Sequence, residues 1–237
     1  MHAITLLRLS KQKNSLMELL KQKLIDKASA NIILREITKD QSLWLDGKKT
    51  AGKFAAEVKD NLQLDKSSHV SIENSNLIIK AITSDQLIKS FSLPRKVHGV
   101  MFTQTSAGQG YGMHIDNAYM SSGRSDLSFT LFLNDPNEYE GGELAIQTMQ
   151  SIERIKLPQG YILLYPSTSL HSVEEVKVGT RHVCVGWIQS YICNSEDRNL
   201  LFGLDAGAKG ILAKYGRSPE LDLIFQAYGN LQRRLGR

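Results

Sequence analysis

Cysteine is almost missing from this chain: Cys184 and Cys193 are the only two in 237 residues. Two thiols are too few for a disulfide framework or a cysteine-built zinc site. Also missing is any uninterrupted apolar run of about 18 residues, so no membrane-spanning helix is expected. The opening MHAITLLRLSKQKNSLMELL lacks the basic head, apolar middle and small-residue cleavage site of a signal peptide. A cytoplasmic location is the resulting expectation. Internal repeats and low-complexity segments are absent as well. What is present is 41% apolar residues, enough to bury one substantial core.

The net charge of +5 invites a nucleic-acid reading, but its distribution argues against one. Residues 1–66 hold 13 Lys/Arg against 8 Asp/Glu, so the remainder of the chain is balanced. The basic residues there are scattered through amphipathic segments and are not interleaved with aromatics. A solvated face is expected, and no nucleic-acid partner. Arg233, Arg234 and Arg237 read as a helix C-terminus complementing its dipole.

Periodicity divides the chain in three: a helical support segment over 1–95, a β core over 96–192 and a helical segment over 193–237. In the first, Leu16, Leu19, Leu20 and Leu24 have helical spacing, which predicts an amphipathic helix over 14–27. AGKFAAEVKDNLQL predicts a mixed loop and short helix, and 84–91 a helix capped by Ser84 and stopped at Pro94. The middle third carries short β-prone runs such as LSFTLFLND, GYILLYP and RHVCVGWIQSYI, separated by turn signals. Many short strands without intervening helices indicate a sandwich or barrel. Ser218-Pro219-Glu220 then opens a final helix. The fold class is α+β with a mainly β core.

Chemistry is expected in that core. In YGMHIDN, His114 and Asp116 stand two apart, so a strand would present both on one face and Ile115 on the other. His171 follows YPSTSL 55 residues after Asp116, where a strand ends in a turn. His-x-Asp with a distant His is a two-histidine, one-carboxylate set, the facial triad of non-haem Fe(II) chemistry. Arg181 comes ten residues later, a spacing that predicts a tight turn around Gly179 and an arginine on the neighbouring antiparallel strand. Its guanidinium fork suits the distal carboxylate of a dicarboxylic cosubstrate. Each feature alone is weak: His-x-Asp is often a structural pair, and a lone strand arginine usually forms a salt bridge. Their joint order and spacing favour a site.

These segments carry a resemblance. TAGKFAAEVKDNLQL, YGMHIDNA, RSDLSFTLFLNDPNEYEGGEL, KLPQGYILLYPSTSLHSVEEVKVGTR and WIQS resemble the Fe(II)/2-oxoglutarate-dependent dioxygenases of the prolyl-4-hydroxylase-like class, and more closely the PKHD-type hydroxylases. The resemblance runs from about residue 44 onward; residues 1–43 match poorly. It implies a double-stranded β-helix (jelly roll) flanked by N- and C-terminal helices. It implies that His114, Asp116 and His171 bind Fe(II) and that Arg181 binds 2-oxoglutarate. L-ascorbate is a further implied cofactor. The implied activity is hydroxylation of an unidentified small-molecule or peptidyl substrate, with release of succinate and CO2. Asp116 favours hydroxylation over halogenation, which needs a small residue there. Where relatives often carry a tyrosine upstream of His-x-Asp, this chain has Thr105; Tyr111 is placed either to line the cosubstrate pocket or to pack in the core. The alternative of a different class is a non-catalytic metal- or ligand-binding jelly roll.

Overall fold

The computed structural model describes residues 19–50, 57–148 and 150–237. The chain runs through β1 (Leu20–Lys23), α1 (Lys27–Thr38), β2 (Trp44–Asp46), β3 (Lys59–Asp60) and β4 (Leu62–Leu64). Helices α2 (His69–Ser84) and α3 (Gln86–Ser92) lead into the long β5 (Pro94–Ser106). Then come β6 (Gly110–His114), β7 (Tyr119–Met120), β8 (Gly123–Arg124), β9 (Leu127–Phe132), β10 (Tyr139–Gly141) and β11 (Leu144–Gln147). The β region ends with β12 (Ile152–Ile155), β13 (Tyr161–Pro166), β14 (His171–Val173) and β15 (Val176–Ser190). Helices α4 (Ser195–Tyr215) and α5 (Pro219–Leu235) follow.

Two antiparallel sheets face each other, as a jelly roll requires. The larger runs β1-β13-β9-β15-β5-β4-β2, with β10 added on β15; the smaller runs β12-β11-β14-β6-β3. Every residue of β9 is buried, because its sheet is covered on both faces. The period of two sorts them. Leu127, Phe129 and Leu131 join the cluster formed with helix residues Ile37, Ile82 and Phe202. Phe132 joins Leu144, Ile146, Leu163 and Val183 between the sheets. Ser128 and Thr130, on that same inner face, line a cavity instead. Among the described residues no helix is long and apolar enough to cross a membrane.

Local differences from the sequence expectations have physical causes. Of the helix expected over 14–27, residues 14–18 lie outside the described residues, and Leu20–Lys23 is a strand paired with β13 from Leu20↔Leu164 to Lys23↔Tyr161. Leu19 packs between the sheets and Leu20 under the helices, on opposite faces. Only a strand sends consecutive residues to opposite sides, and sheet pairing satisfies its backbone groups. Residues 51–56 also lie outside the described residues, while 59–64 form strands where a loop and short helix were expected. The cap of α3 is Asp85, whose side chain accepts from the Ile88 amide; Ser84 ends α2. Ser218 caps α5, with Pro219 in its first turn, as the sequence indicates.

Candidate active site

β6 and β14 are neighbours in the smaller sheet, and their register sets His171 directly opposite His114. The two rings lie 4.2 Å apart between centroids. Asp116 falls two residues past the end of β6, yet the alternation persists: Ile115 is 53% exposed while Asp116 turns inward. One nitrogen from each histidine and one Asp116 oxygen all lie within 4.8 Å of one another. The Asp116 Oδ2 is 3.8 Å from His171 Nε2. The structure therefore brings together all three residues of the sequence-derived triad.

Hydrogen bonds set which nitrogen faces the cluster. His114 Nδ1 lies 2.8 Å from the Gly112 carbonyl and His171 Nδ1 lies 3.0 Å from the Ser169 carbonyl. A carbonyl only accepts, so each Nδ1 carries the proton and each Nε2 keeps a free lone pair, the arrangement a metal ligand needs. Burial and the facing His171 push the His114 imidazolium down to about 4, which keeps the ring neutral at neutral pH. The Ser128 hydroxyl donates to Asp116 Oδ2 and also bonds to the Ser167 hydroxyl at 2.8 Å. Tyr111 stacks on His114 at 3.7 Å, and Tyr165 meets His171 edge-on at 5.1 Å. Burial and the Asp116 charge raise the Tyr111 hydroxyl to about 12. Two imidazoles plus a carboxylate form a hard-to-borderline donor set suited to a divalent transition metal.

The triad opens into a cavity of about 380 Å³ that also contains Arg181. Arg181 is 2% exposed, and its Nε has no hydrogen-bond partner. Among the described residues no carboxylate lies within ion-pair distance of it. Its neighbours are Tyr139, which hydrogen-bonds to it, Tyr165 and the Phe132 ring, 5.6 Å below the guanidinium, and the charge of Glu143 acts on it from beyond ion-pair distance. A desolvated cation without a carboxylate in contact is costly, and a ligand carboxylate would relieve that cost. The residues present thus fit both a metal and an anionic cosubstrate.

The route from His171 to Arg181 differs from the expected hairpin. β14 belongs to the smaller sheet and β15 to the larger, so the chain crosses between sheets at Glu174 and Glu175. Gly179 is no turn: it lies within β15, paired with Tyr139 at φ +81°, where a Cβ would meet the Glu138 carbonyl at 2.5 Å. Arg181 therefore faces the triad across the roll. Tyr111 lines the cavity; Thr105, directly opposite Arg181 on β5, is buried without lining it.

The remaining histidines have other surroundings. His98 bonds Ser122 and the Arg124 carbonyl, His182 meets Trp44, and His69 is an exposed partner of Glu73. His2 lies outside the described residues. Reading from sequence missed Ser128, which orients Asp116, and the polar wall of Lys59, Asn61 and Gln63. The signal for that wall was present in VKDNLQL: three polar side chains at alternate positions, where a strand presents them on one face.

Residues 100–189 match the model of the 2OG-Fe(II) oxygenase superfamily. A PKHD-type hydroxylase of Prochlorococcus marinus is 69% identical over 220 residues, spanning 93% of this chain and 100% of the relative. Another, from strain MIT 9313 of the same species, is 63% identical with the same coverage. Among solved structures, a Pseudomonas putida prolyl-4-hydroxylase aligns with TM-score 0.55 and 15% identity over 80% of this chain and 99% of its own. A Trichoplax adhaerens prolyl hydroxylase, solved in complex with a hypoxia inducible factor oxygen degradation domain peptide, aligns with TM-score 0.56 and 13% identity, covering 83% and 90%. These two likenesses concern the fold.

Proposed function

Because the chain belongs to the PKHD-type hydroxylases of the 2OG-Fe(II) oxygenase superfamily and is a 2-oxoglutarate/Fe(II)-dependent dioxygenase, we propose that His114, Asp116 and His171 hold Fe(II) and Arg181 holds 2-oxoglutarate. The reaction would hydroxylate a small-molecule or peptidyl substrate and release succinate and CO2. When bound, Fe(II) and 2-oxoglutarate supply O2-dependent attack on an unactivated C–H bond. The chain supplies the rest. The Nε2 lone pairs of His114 and His171 and the Asp116 carboxylate would be the protein's three ligands to Fe(II). Ser128 steadies the carboxylate, and Tyr111 and Tyr165 wedge the rings. Arg181 presents a charged fork to the cosubstrate's distal carboxylate from a wall that excludes water.

The observation that carries this reading is Arg181, a buried guanidinium without a carboxylate partner among the described residues, in the same cavity as the triad. A binder of metal alone has no use for such a group. The test is succinate formation from 2-oxoglutarate with Fe(II) and ascorbate, comparing wild type with Arg181→Ala. Wild-type turnover and a raised requirement for 2-oxoglutarate in the variant are expected. Intact iron binding with no succinate, even uncoupled, would return the site to the non-catalytic alternative.

A further inference from the structure

We propose that the chain forms a two-fold dimer through the outward face of α4, laid antiparallel against the same helix of a second copy. This inference is independent of the chemistry assigned to the cavity.

α4 packs on the body with one side only. Its buried residues are Arg198, Leu201, Phe202, Asp205 and Ala208. Phe202 meets Phe91 of α3 edge-on, and Asp205 accepts from Ser90 on that helix. On the outward side, at three- and four-residue steps, stand Leu200, Leu204, Gly207 and Ile211. The solvent side of a surface helix is ordinarily polar. Here Leu200 is 58% and Ile211 43% exposed, and Leu204 is half-buried. A single exposed leucine needs no explanation, but a stripe along one helix marks a surface that another molecule covers. From Ile211 to Arg217 every residue is exposed, so the end of α4 projects from the body, with exposed Leu223 of α5 beside it.

Gly203 and Gly207 belong to the same outward side. Glycine is a poor helix former, and nothing in the chain lies within 4 Å of where a Cβ would stand at either position. No contact within the chain therefore requires glycine there. A second helix in close approach does, because the missing side chain lets a neighbour's residue rest on the backbone.

The charge pattern identifies that helix as α4 of another copy. Glu196 and Asp197 in the first turn and Lys214 in the last bracket the apolar stripe. None of the three has an ion-pair partner among the described residues; Lys214 lies 4.7 Å over the Tyr215 ring. The neighbouring charges are satisfied within the chain: Lys209 by Asp205, Arg217 by Asp222, and buried Arg198 by the Ile192 and Cys193 carbonyls. A face acidic at one end, apolar in the middle and basic at the other is its own complement under a two-fold. With the axis near Asp205 and Ala206, Leu200 meets the partner's Ile211 and Leu204 seats on the partner's Gly207. Glu196 reaches the partner's Lys214, and each contact occurs twice. α5 carries the inverse pattern, Glu220 and Asp222 in its first turn and Arg233 and Arg234 in its last. The Arg237 amide donates to the Tyr191 carbonyl just before α4, so those arginines stand at the Glu196 end. The same two-fold turns them toward the acidic end of the partner's α5.

Sedimentation equilibrium of the full chain should give twice the mass of one chain, with a dissociation constant of about 10 µM or below. Gly207→Gln adds a good helix former that meets nothing in its own chain, and should weaken the dimer about tenfold or more. Glu196→Lys and Lys214→Glu should each weaken it as well. The double variant exchanges the two signs and should regain affinity over either single, whereas damage to the fold would accumulate. A monomer at about 100 µM overturns the inference, whatever else then covers α4. So does a dimer that none of these substitutions weakens, or a double variant no tighter than the singles.

Discussion

His114 and His171 stand directly across the β6–β14 pairing, rings 4.2 Å apart, each with Nδ1 held by a backbone carbonyl two residues back in its own chain. The protons of both rings are thereby directed away from the cluster, and both Nε2 lone pairs are left for a shared ion. His171→Ala removes one ligand outright. Its Fe(II) affinity should fall by more than the roughly 10–100-fold typical of losing a supporting partner. Iron content after gel filtration checks this; full occupancy in the variant would reject His171 as a ligand.

Ser128 supplies that supporting kind of contact. Its hydroxyl donates to Asp116 Oδ2 and is itself tied to Ser167, the residue that follows β13. In Ser128→Ala the carboxylate keeps its place in sequence but loses its orientation. Metal affinity should drop about 10–100-fold with little change in thermal stability. Equilibrium Fe(II) or Mn(II) titration of the two proteins measures it, and equal affinities would make the contact incidental.

Legibility from sequence followed the range of the determinant. That His114, Asp116 and His171 would come together was readable from residue type, order and strand alternation, and Ile115 does point outward as alternation requires; Arg181 shares their cavity, but by a crossing between sheets that the expected hairpin did not foresee. The β core and α5 were readable for the same reason. What the sequence hid is which sheet each strand joins. Leu19 and Leu20 fit a helical pattern until β13 is there to pair with them. Gly179 looked like a turn because nothing local reveals that β10 lies alongside it. Lys59 and Gln63 looked like loop residues because their strand partners, Tyr111 and Thr103, come some 40–50 residues later on two different sheets.

Arg181 should reveal its role through stability as well as turnover. The ligand-free chain bears the cost of a desolvated guanidinium without an ion-pair partner among the described residues. Arg181→Met replaces it with an apolar side chain of similar length, stabilising the ligand-free chain by about 1–3 kcal/mol. Wild type should gain stability as 2-oxoglutarate is added with metal, since a ligand of the folded state alone raises the melting temperature. The variant should not. Thermal melts with and without 2-oxoglutarate provide both readings. A variant that is destabilised yet still stabilised by 2-oxoglutarate would refute the assignment.

His182 is next to Arg181 in sequence but serves the fold, and acid should expose it. Its ring packs edge-on against Trp44 at 5.9 Å, and Nε2 lies 3.3 Å from the Gln104 amide oxygen. Nδ1 is buried without a partner. That nitrogen can stay unprotonated at modest cost, but a proton there would be a buried donor with no acceptor. Burial accordingly lowers the ring from 6.5 to about 4. Between those values the unfolded chain binds the proton and the folded chain does not. Stability therefore rises with pH across the window and is lost as pH falls from about 6.5 toward 4, by on the order of 2–3 kcal/mol. Denaturant unfolding of wild type and His182→Gln at steps between pH 7.5 and 4.5 isolates this contribution, because every other titrating group is common to both. The variant should be less stable at neutral pH, where it loses the Trp44 contact, and should show the shallower decline in acid. Parallel declines would mean that His182 accepts its second proton in the folded chain.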